Sequence, residues 1–282
     1  MTEFLLFRVY GPLVSWGDIA VGERRSTSDR PSRSGVIGLV AGALGIERSD
    51  EEQQTALQES LAMASRVDVP GRLMHDYHTA QAPSASWADK QEKRWKDKPQ
   101  PRGPLWTRAE ELAQPREELS TILSERAYLA DTLAVVAIWN RQPNARFQLA
   151  NIQKALLRPV FVPYLGRKSC PPALPFAPRL ANAEHPVKAL QQADFTSQEE
   201  GVLGGQLRHQ SWPSQVLRTR YEQGQRLVRQ FAWEGDWPAL DNIAETVRIE
   251  RRDQPGRRRA WQFHTRVEHR GSELSPQEVS HG

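Results

Sequence analysis

One segment, from Asp29 to Gly45, constrains the fold more than any other part of the chain. It reads DRPSRSGVIGLVAGALG, a basic, serine-containing approach followed by an apolar run. The apolar residues recur at helical spacing, and Ser32 or Ser34 stands where an N-cap is expected. Glycines recur about once per turn, at Gly35, Gly38, Gly42 and Gly45. Each glycine costs about 1 kcal/mol of helix propensity relative to alanine. We therefore predict a loop that leads into a helix, with the last three glycines forming a bare face that packs closely on a sheet.

The same segment has the composition of a phosphate-binding loop, so the kind of phosphate matters. A P-loop requires a lysine and a hydroxyl after its last glycine, and no such pair occurs here. No G-x-G-x-x-G dinucleotide fingerprint occurs either. We therefore predict no nucleotide cofactor. Gly35 lies in the first helical turn, where free N–H groups and the helix dipole attract anions, beside Arg30, Arg33 and Ser34. This turn is predicted to bind a phosphate of a nucleic-acid backbone.

The remaining pattern alternates strands and helices. Residues 4–10 predict a buried strand that ends at Gly11 and Pro12, and two short strands flank the turn at 70–71. The apolar stretch 120–139 predicts two further strands about Asp131, and 147–160 predicts a helix that stops at Pro159. Residues 246–269 predict a hairpin about 254–256, followed by a polar tail from Gly271.

This order of elements indicates an α+β fold of the ferredoxin-like (RRM-like) type, βαββαβ. We predict a domain at 1–180 and a β-rich C-terminal extension at 181–282. The segment at about 80–120 is an insertion rich in Pro, Lys, Arg and Trp without an apolar period. Its tryptophans, Trp87, Trp95 and Trp106, predict a surface arm that inserts among bases or contacts a partner.

Charge is concentrated rather than large. The 282 residues carry a net charge of only +4. Four arginines face one aspartate at 24–33, six basic residues face two acidic ones at 90–102, and eight arginines face three acidic residues at 248–270. Three basic clusters favour a long polyanion as ligand, against the alternative of a general preference for arginine.

The cysteine content and the lengths of the apolar runs indicate the cellular compartment of the protein. The single cysteine, Cys170, excludes an internal disulfide and a cysteine-built zinc site. No positive leader opens the chain, and no run approaches the ~18 apolar residues of a membrane span. The sequence therefore predicts a cytoplasmic protein without membrane contact.

Two short motifs carry side chains suited to RNA. In HDYH at 75–78, the two histidines point to opposite faces of a strand and lack a third ligand, so no metal site is predicted. Tyr77 and His78 are candidates for base stacking and hydrogen bonding, with a packed structural pair as the alternative. YLGRKSCP offers an aromatic ring, a flexible glycine and polar cationic neighbours for a base and its phosphate, or else an ordinary turn. Its candidates are Tyr164, Gly166, Arg167, Lys168 and Ser169.

These pieces occur together in one known family. The collinear motifs GPLVSWG, RPSRSGVIGLVAGALGI, DYHT, TILSERAYLADTLAVVAIW, RPVFVPYLGRKSCP, and RDQP through QFHTR make the chain resemble the CasD (Cas five) family of the type I-E CRISPR Cascade complex. The resemblance implies a ferredoxin-like RNA-binding domain with a protruding thumb hairpin. It also implies a noncatalytic subunit that grips the 5′ handle of the CRISPR RNA. The implied neighbours are the adjacent backbone subunit, the large subunit and, through the guide duplex, target DNA.

Carried over to this chain, the resemblance places the handle site on the arginine-serine loop and on the two motifs. The loop residues are Arg24, Arg25, Arg30, Arg33 and Ser34, and the other candidates are Tyr77, His78 and 164–169. The resemblance also supplies an alternative, because type I-C relatives cleave repeat RNA without a metal. Tyr77, His78 and Lys168 would then serve as acid–base and cationic groups. In type I-E systems a separate subunit does this cutting, which favours binding. A DNA-binding protein would explain the charge but not the collinear motifs.

Overall fold

The computed structural model describes residues 1–17, 20, 22–96, 106–193, 229–256 and 263–273. Its strands are β1 (Thr2–Val14), β2 (Arg24–Arg25), β3 (Leu61–Val69), β4 (Arg72–Pro83), β5 (Leu119–Asn140), β6 (Arg179–Ala183), β7 (Gln230–Trp233), β8 (Ile243–Pro255) and β9 (Phe263–Glu273). Its helices are α1 (Arg33–Leu44), α2 (Glu51–Ser60), α3 (Ala85–Trp95), α4 (Arg108–Leu112), α5 (Leu149–Leu157) and α6 (Pro186–Gln192). None of the helices in these ranges is long and apolar enough to span a membrane.

The chain forms two compact units. Unit 1 comprises 1–19, 26–74 and 128–282, and unit 2 comprises 20–25 and 75–127. Unit 2 holds most of the predicted insertion. The predicted boundary at residue 180 stays a prediction, and the strands after it are described with the sheet that they join.

A large, mainly antiparallel sheet organises the fold, in the order β6-β1-β5-β3-β7-β9-β8. Strand β1 pairs with β5 from Leu5↔Ile138 onward, and β3 pairs with β5 on the other side, as at Met63↔Ile138. The predicted C-terminal pairing is confirmed, since β8 and β9 are antiparallel, but the turn predicted at 254–256 is wrong: Gln254 and Pro255 pair with β9, and the connection at 257–262 lies outside the described residues. Alternation of side chains along the two strands is therefore enough to predict this pairing.

Unit 1 buries apolar side chains on both faces of the sheet. One face carries Leu5 and Phe7 of β1 against α1 and α5, in a cluster that includes Ile37 and Ile152. The opposite face carries Phe4 of β1 against α6 and the tryptophans of β5 and β7. Burial of alternate β1 residues on two faces explains why the predicted first strand has almost no charge.

Two strand predictions need correction. Strand β1 continues through Gly11 and Pro12 to Val14, because β6 pairs only with residues 2–6 and the missing N–H of Pro12 interrupts no ladder on that side. Residues 119–140 form one strand, β5, rather than two. Asp131 adopts a positive φ of 61° within it, and Tyr10 donates a hydrogen bond to its carboxylate over 2.6 Å. The predicted break is a local bend in a continuous strand.

The arm predicted at 80–120 contains helices that its composition did not indicate. Helices α3 and α4 lie on either side of 97–105, which is outside the described residues. Trp87 is buried, and its ring meets that of Trp106 edge to face at 5.5 Å, while Trp95 is half-buried. Two of the three tryptophans therefore pack on each other within unit 2 instead of standing free at the surface.

Helix α1 begins as predicted, with Ser32 as N-cap, and it ends at Gly45, which is a C-cap in the left-handed conformation and not a member of the helical face as predicted. The prediction of a closely packed glycine face is wrong at two positions. A Cβ placed on Gly38 or Gly42 would meet nothing within 4 Å among the described residues, whereas one on Gly45 would lie 3.0 Å from Val160. Only Gly45 is required by its backbone conformation, since its φ is 77°.

Replacing Gly38 with alanine is therefore expected to raise the free energy of unfolding by about 0.5–1 kcal/mol, because the helix gains propensity without a clash. Chemical unfolding of the isolated chain measures this change. Gly45→Ala serves as the matched control and is expected to destabilise, since the left-handed conformation strains any residue with a Cβ. A destabilised Gly38→Ala chain would show that the open face is filled after all.

Candidate nucleic-acid interface

The first turn of α1, predicted to bind a phosphate, already holds a carboxylate of this chain. Asp253 of β8 accepts a hydrogen bond from the backbone N–H of Arg33 over 2.8 Å. The N–H of Gly35 donates to the Ser32 hydroxyl over 3.2 Å, and the half-buried Ser34 hydroxyl lies 3.4 Å from the same oxygen. The anion that this helix terminus attracts is thus supplied internally. We therefore propose no RNA phosphate at this turn.

The two arginines of this loop are likewise engaged inside the protein. Arg33 is fully buried and donates to Glu234 over 2.7 Å and to the carbonyls of Gln58 and Leu61 over 2.5 and 2.8 Å. Arg30 is 5% exposed and pairs with Asp29 over 2.9 Å. Because both guanidinium groups are buried and paired, the prediction that they contact a backbone phosphate is corrected: they hold the loop in place.

The burial of this arginine cluster also changes proton affinities. Burial lowers the pKa of Arg33, opposed by Glu234 and reinforced by Arg141 and Arg266. The pKa of Asp253 is lowered although burial opposes the shift, because Arg266 donates to its carboxylate. The lowered pKa keeps the Asp253 carboxylate charged near neutral pH, and a guanidinium stays protonated in proteins.

The loop at 164–169 is a tight turn that presents polar groups. Leu165 anchors it, since its carbonyl accepts from the N–H of Ser15 over 3.1 Å and its N–H donates to the Cys170 carbonyl over 2.7 Å. Lys168 and Ser169 are exposed. Burial raises the pKa of the Cys170 thiol. The anchored backbone fixes the direction in which the polar residues face solvent.

Tyr164, Arg167 and Gly166 of this loop differ in their surroundings. Tyr164 is 41% exposed and therefore available to stack on a base. The Arg167 guanidinium lies over the Tyr128 ring at 4.8 Å from its centroid, an arrangement that orients it at modest energetic gain. Gly166 has a φ of +88°, and its α-carbon passes so close to Ser15 that a Cβ would lie 1.6 Å from the Ser15 carbonyl oxygen. The glycine was predicted for its flexibility, but it is required here because any side chain would clash with Ser15.

Unit 2 carries the other exposed candidates. Arg24 is exposed and pairs with Glu125 of β5 over 3.5 Å, and Arg25 is exposed and donates to the Gly22 carbonyl over 2.5 Å. Such surface pairs contribute little energy, so these guanidinium groups can exchange partners for a phosphate at small cost.

Strand β4 presents an aromatic ring between two histidine–carboxylate pairs. Tyr77 is 64% exposed. His75 Nδ1 lies 2.6 Å from Glu125, and His78 Nε2 pairs with Asp76. Both histidine side chains are more than two-fifths exposed, at 42% and 43%. The strand therefore offers one ring for stacking and two imidazoles whose tautomers the carboxylates select.

The carboxylates that pair with Arg33 cannot be identified from the sequence. Glu234 and Asp253 lie 201 and 220 positions from Arg33, and both bind it. The arginines of RIERRDQP indicate a basic patch, although Asp253 within this stretch is buried. A paired arrangement of this kind depends on tertiary contacts that one-dimensional charge patterns do not contain.

A match to a family model defines the class of protein. The model described as CRISPR-associated protein (Cas_Cas5) matches residues 4–265. Because this range is nearly the whole chain, the protein belongs to this family of CRISPR-associated proteins.

Two particular proteins resemble the chain throughout. It is 31% identical over 245 residues to the CRISPR system Cascade subunit CasD of Escherichia coli strain K12, covering 82% of this chain and 93% of that one. A chain of a solved CRISPR RNA-guided surveillance complex has a similar fold, with a TM-score of 0.57 and 24% identity, covering 97% of this chain and 92% of that one. The mixed α/β fold with a large antiparallel sheet is thus shared with known proteins of this kind.

Proposed function

We propose that this protein is the noncatalytic RNA-binding subunit of a type I-E Cascade complex. It grips the 5′ handle of the CRISPR RNA and caps the backbone filament next to the large subunit, in the cytoplasm. The observation that carries this proposal is the 31% identity to the Cascade subunit CasD over 82% of this chain and 93% of that one. Target DNA is met indirectly, through the duplex that it forms with the guide.

We further infer a ferredoxin-like core with a thumb. Four strands stand in the order β6-β1-β5-β3, with α1 between β1 and β3 in the chain and α5 between β5 and β6. That arrangement supports a βαββαβ unit whose second and third strands are β3 and β5. The thumb corresponds to unit 2, which includes α3, α4 and the outer part of β4.

The proposed handle contacts are the exposed candidates. Phosphates pair with Arg24, Arg25 and Lys168, which are exposed cations on short elements or turns. Bases stack on Tyr77 and Tyr164, and polar groups at His78, Arg167 and Ser169 complete the set. Arg30 and Arg33 make no contact with the handle in this proposal; they hold the loop that precedes α1.

An RNA-binding measurement tests these contacts. The variant Arg24→Gln/Arg25→Gln/Lys168→Gln is expected to reduce the slope of log K against log salt by about 1 for each phosphate that no longer meets a cation, roughly 3 in total. Filter binding of the full chain to RNA that carries the 5′ handle of the cognate repeat, at several salt concentrations, measures this slope.

A charge-matched control separates specific contacts from net charge. Arg48, Arg146 and Lys154 are exposed cations outside the proposed contacts. Their triple replacement by glutamine removes the same charge and is expected to leave the slope within about 1 of the wild-type value. Equal losses in the two triple variants would refute the proposed contacts and leave only general attraction.

The alternative function is metal-independent cleavage of repeat RNA. The observation that favours it is the pair of histidine–carboxylate contacts, His75 with Glu125 and His78 with Asp76, which flank Tyr77 on β4. Such pairs suit proton transfer as well as binding. In the same binding reactions with EDTA we expect intact RNA. Specific cleavage that disappears in His78→Ala would establish the alternative.

A further inference from the structure

A polar cavity in unit 1 lies outside all of the proposed RNA contacts. Its volume is about 360 Å³, within the range of about 300–1,000 Å³ typical of small-molecule sites. Residues from the end of α2, the end of β7 and the hairpin of β8 with β9 surround it. Among those lining it are Arg33, Arg141, Glu234, Gln254 and Arg266. It has room for a charged group together with the residue that carries it.

Three guanidinium groups on the cavity wall share one buried carboxylate. Glu234 is 4% exposed and lies 2.7 Å from Arg33, in contact with Arg141 and 3.7 Å from Arg266. A carboxylate balances one positive charge, and Arg266 is also paired with two carboxylates outside the wall over 2.6 Å each, so the uncompensated positive charge of the wall lies at Arg33 and Arg141. Glu59, the other acidic residue lining the cavity, is exposed and better screened by solvent.

The wall belongs to a larger network that has the same imbalance. Among the residues that the structure describes, ion pairs within 4 Å connect six arginines to four carboxylates, an excess of two positive charges within this set. The members are Arg30, Arg33, Arg141, Arg251, Arg266 and Arg270 with Asp29, Glu234, Asp253 and Glu268. Most of these side chains are buried, where unbalanced charge is costly because water does not solvate it. A bound anion would lower that cost.

Two details of the cavity wall favour the binding of an anion. The Nε–H of Arg33 is buried and has no hydrogen-bond acceptor among the residues that the structure describes. Burial lowers the pKa of Arg33; Glu234 opposes this shift, and the neighbouring Arg141 and Arg266 add to it. An unsatisfied buried donor beside mutually repelling cations is the environment that an anionic ligand stabilises.

Arg141 is the group placed to meet such a ligand. Its side chain is 40% exposed, and its Nε donates to the Leu61 carbonyl over 3.0 Å, which fixes the plane of the guanidinium. A planar, oriented guanidinium at the opening of a positive cavity is suited to bidentate contact with a phosphate.

We propose that this cavity binds the phosphate group of a phosphate ester, with Arg141 as the direct contact. The ester is either a free mononucleotide or a nucleotide unit of the bound RNA, and only the second source rests on the proposed function. Arg33, whose Nε–H has no acceptor among the described residues, supplies positive charge behind it.

Ligand titration of the purified full chain tests the site. The probes are inorganic phosphate, AMP and adenosine, titrated by calorimetry in a phosphate-free buffer. We expect saturable binding of phosphate and AMP and none of adenosine. Arg141→Gln is expected to weaken AMP binding at least tenfold, as removal of a charged bidentate contact does. Arg146→Gln, which removes a nearby arginine paired only at the surface with Glu52, should change it less than twofold.

A second variant keeps the test decisive if Arg141→Gln does not fold. Gln254→Glu adds a negative charge to the cavity with almost no change in shape, and it should also reduce AMP binding at least tenfold. Competition by the handle RNA identifies the bound nucleotide as the source, whereas undiminished AMP binding in the presence of bound RNA identifies a free ester. Absence of saturable phosphate and AMP binding, or binding unaffected by the variants, would overturn the proposal. Handle binding is measured separately, so failure here leaves the proposed function standing.

Discussion

Replacement of Arg33 by methionine is expected to lower the free energy of unfolding by about 3–5 kcal/mol, the usual effect of removing one partner of a buried ion pair. The side chain is fully buried and donates to Glu234 and to two backbone carbonyls, of Gln58 and Leu61. Methionine fills much of the volume but satisfies none of these acceptors. Urea unfolding followed by circular dichroism measures the change.

Arg24→Met is the control, because it removes an arginine of the same basic cluster that is 82% exposed and paired at the surface. Its expected effect is less than about 1 kcal/mol, the range for exposed pairs. A fully stable Arg33→Met chain with a large loss of RNA affinity would instead return Arg33 to the role of a phosphate contact.

Gly166→Ala is expected to destabilise the protein by about 3 kcal/mol or more, which makes it the second large effect. The added Cβ would lie 1.6 Å from the Ser15 carbonyl oxygen and 2.6 Å from its carbonyl carbon, so the backbone must move. The positive φ of +88° adds strain of about 1–3 kcal/mol for a residue with a side chain. The same unfolding experiment measures the sum of the two effects.

Gly17→Ala separates the two contributions. Gly17 also has a positive φ, +67°, but a Cβ there would meet nothing within 4 Å among the described residues. It should therefore show only the conformational strain. Equal destabilisation by Gly17→Ala and Gly166→Ala would mean that the close approach to Ser15 is relieved without cost.

Local sequence patterns predict the elements that local physics determines. Helix α1 has a serine N-cap, and the pairing of β8 with β9 follows from alternation of side chains along the two strands. Helix α2 is not predicted from the sequence although Asp50 caps it. Its sequence EEQQTALQES has too few apolar residues to reveal a helical periodicity. Its helical conformation depends on its cap and on packing of Leu57, which is fully buried.

The basic clusters show where sequence reasoning fails. The charge pattern predicts that the arginines at 30 and 33 and those at 251, 266 and 270 bind a polyanion, yet they pair with carboxylates of the same chain. Arg33 and Glu234 are 201 positions apart, so no window of sequence reveals that one neutralises the other. Among the candidate handle residues that the structure describes, the exposed cations of the Arg24–Arg25 strand and of the 164–169 turn are the ones that we propose for the RNA handle.

Position-specific crosslinking tests whether this protein holds the 5′ handle of the CRISPR RNA. The full chain would be assembled with its Cascade partners on CRISPR RNA that carries a photoreactive nucleotide either in the 5′ handle, in the guide or at the 3′ end. We expect crosslinks from the handle to peptides containing 72–83 or 158–171, identified by mass spectrometry, and far fewer from the 3′ end. Crosslinks from the 3′ end alone, or a complex that assembles with an unprotected handle, would contradict it.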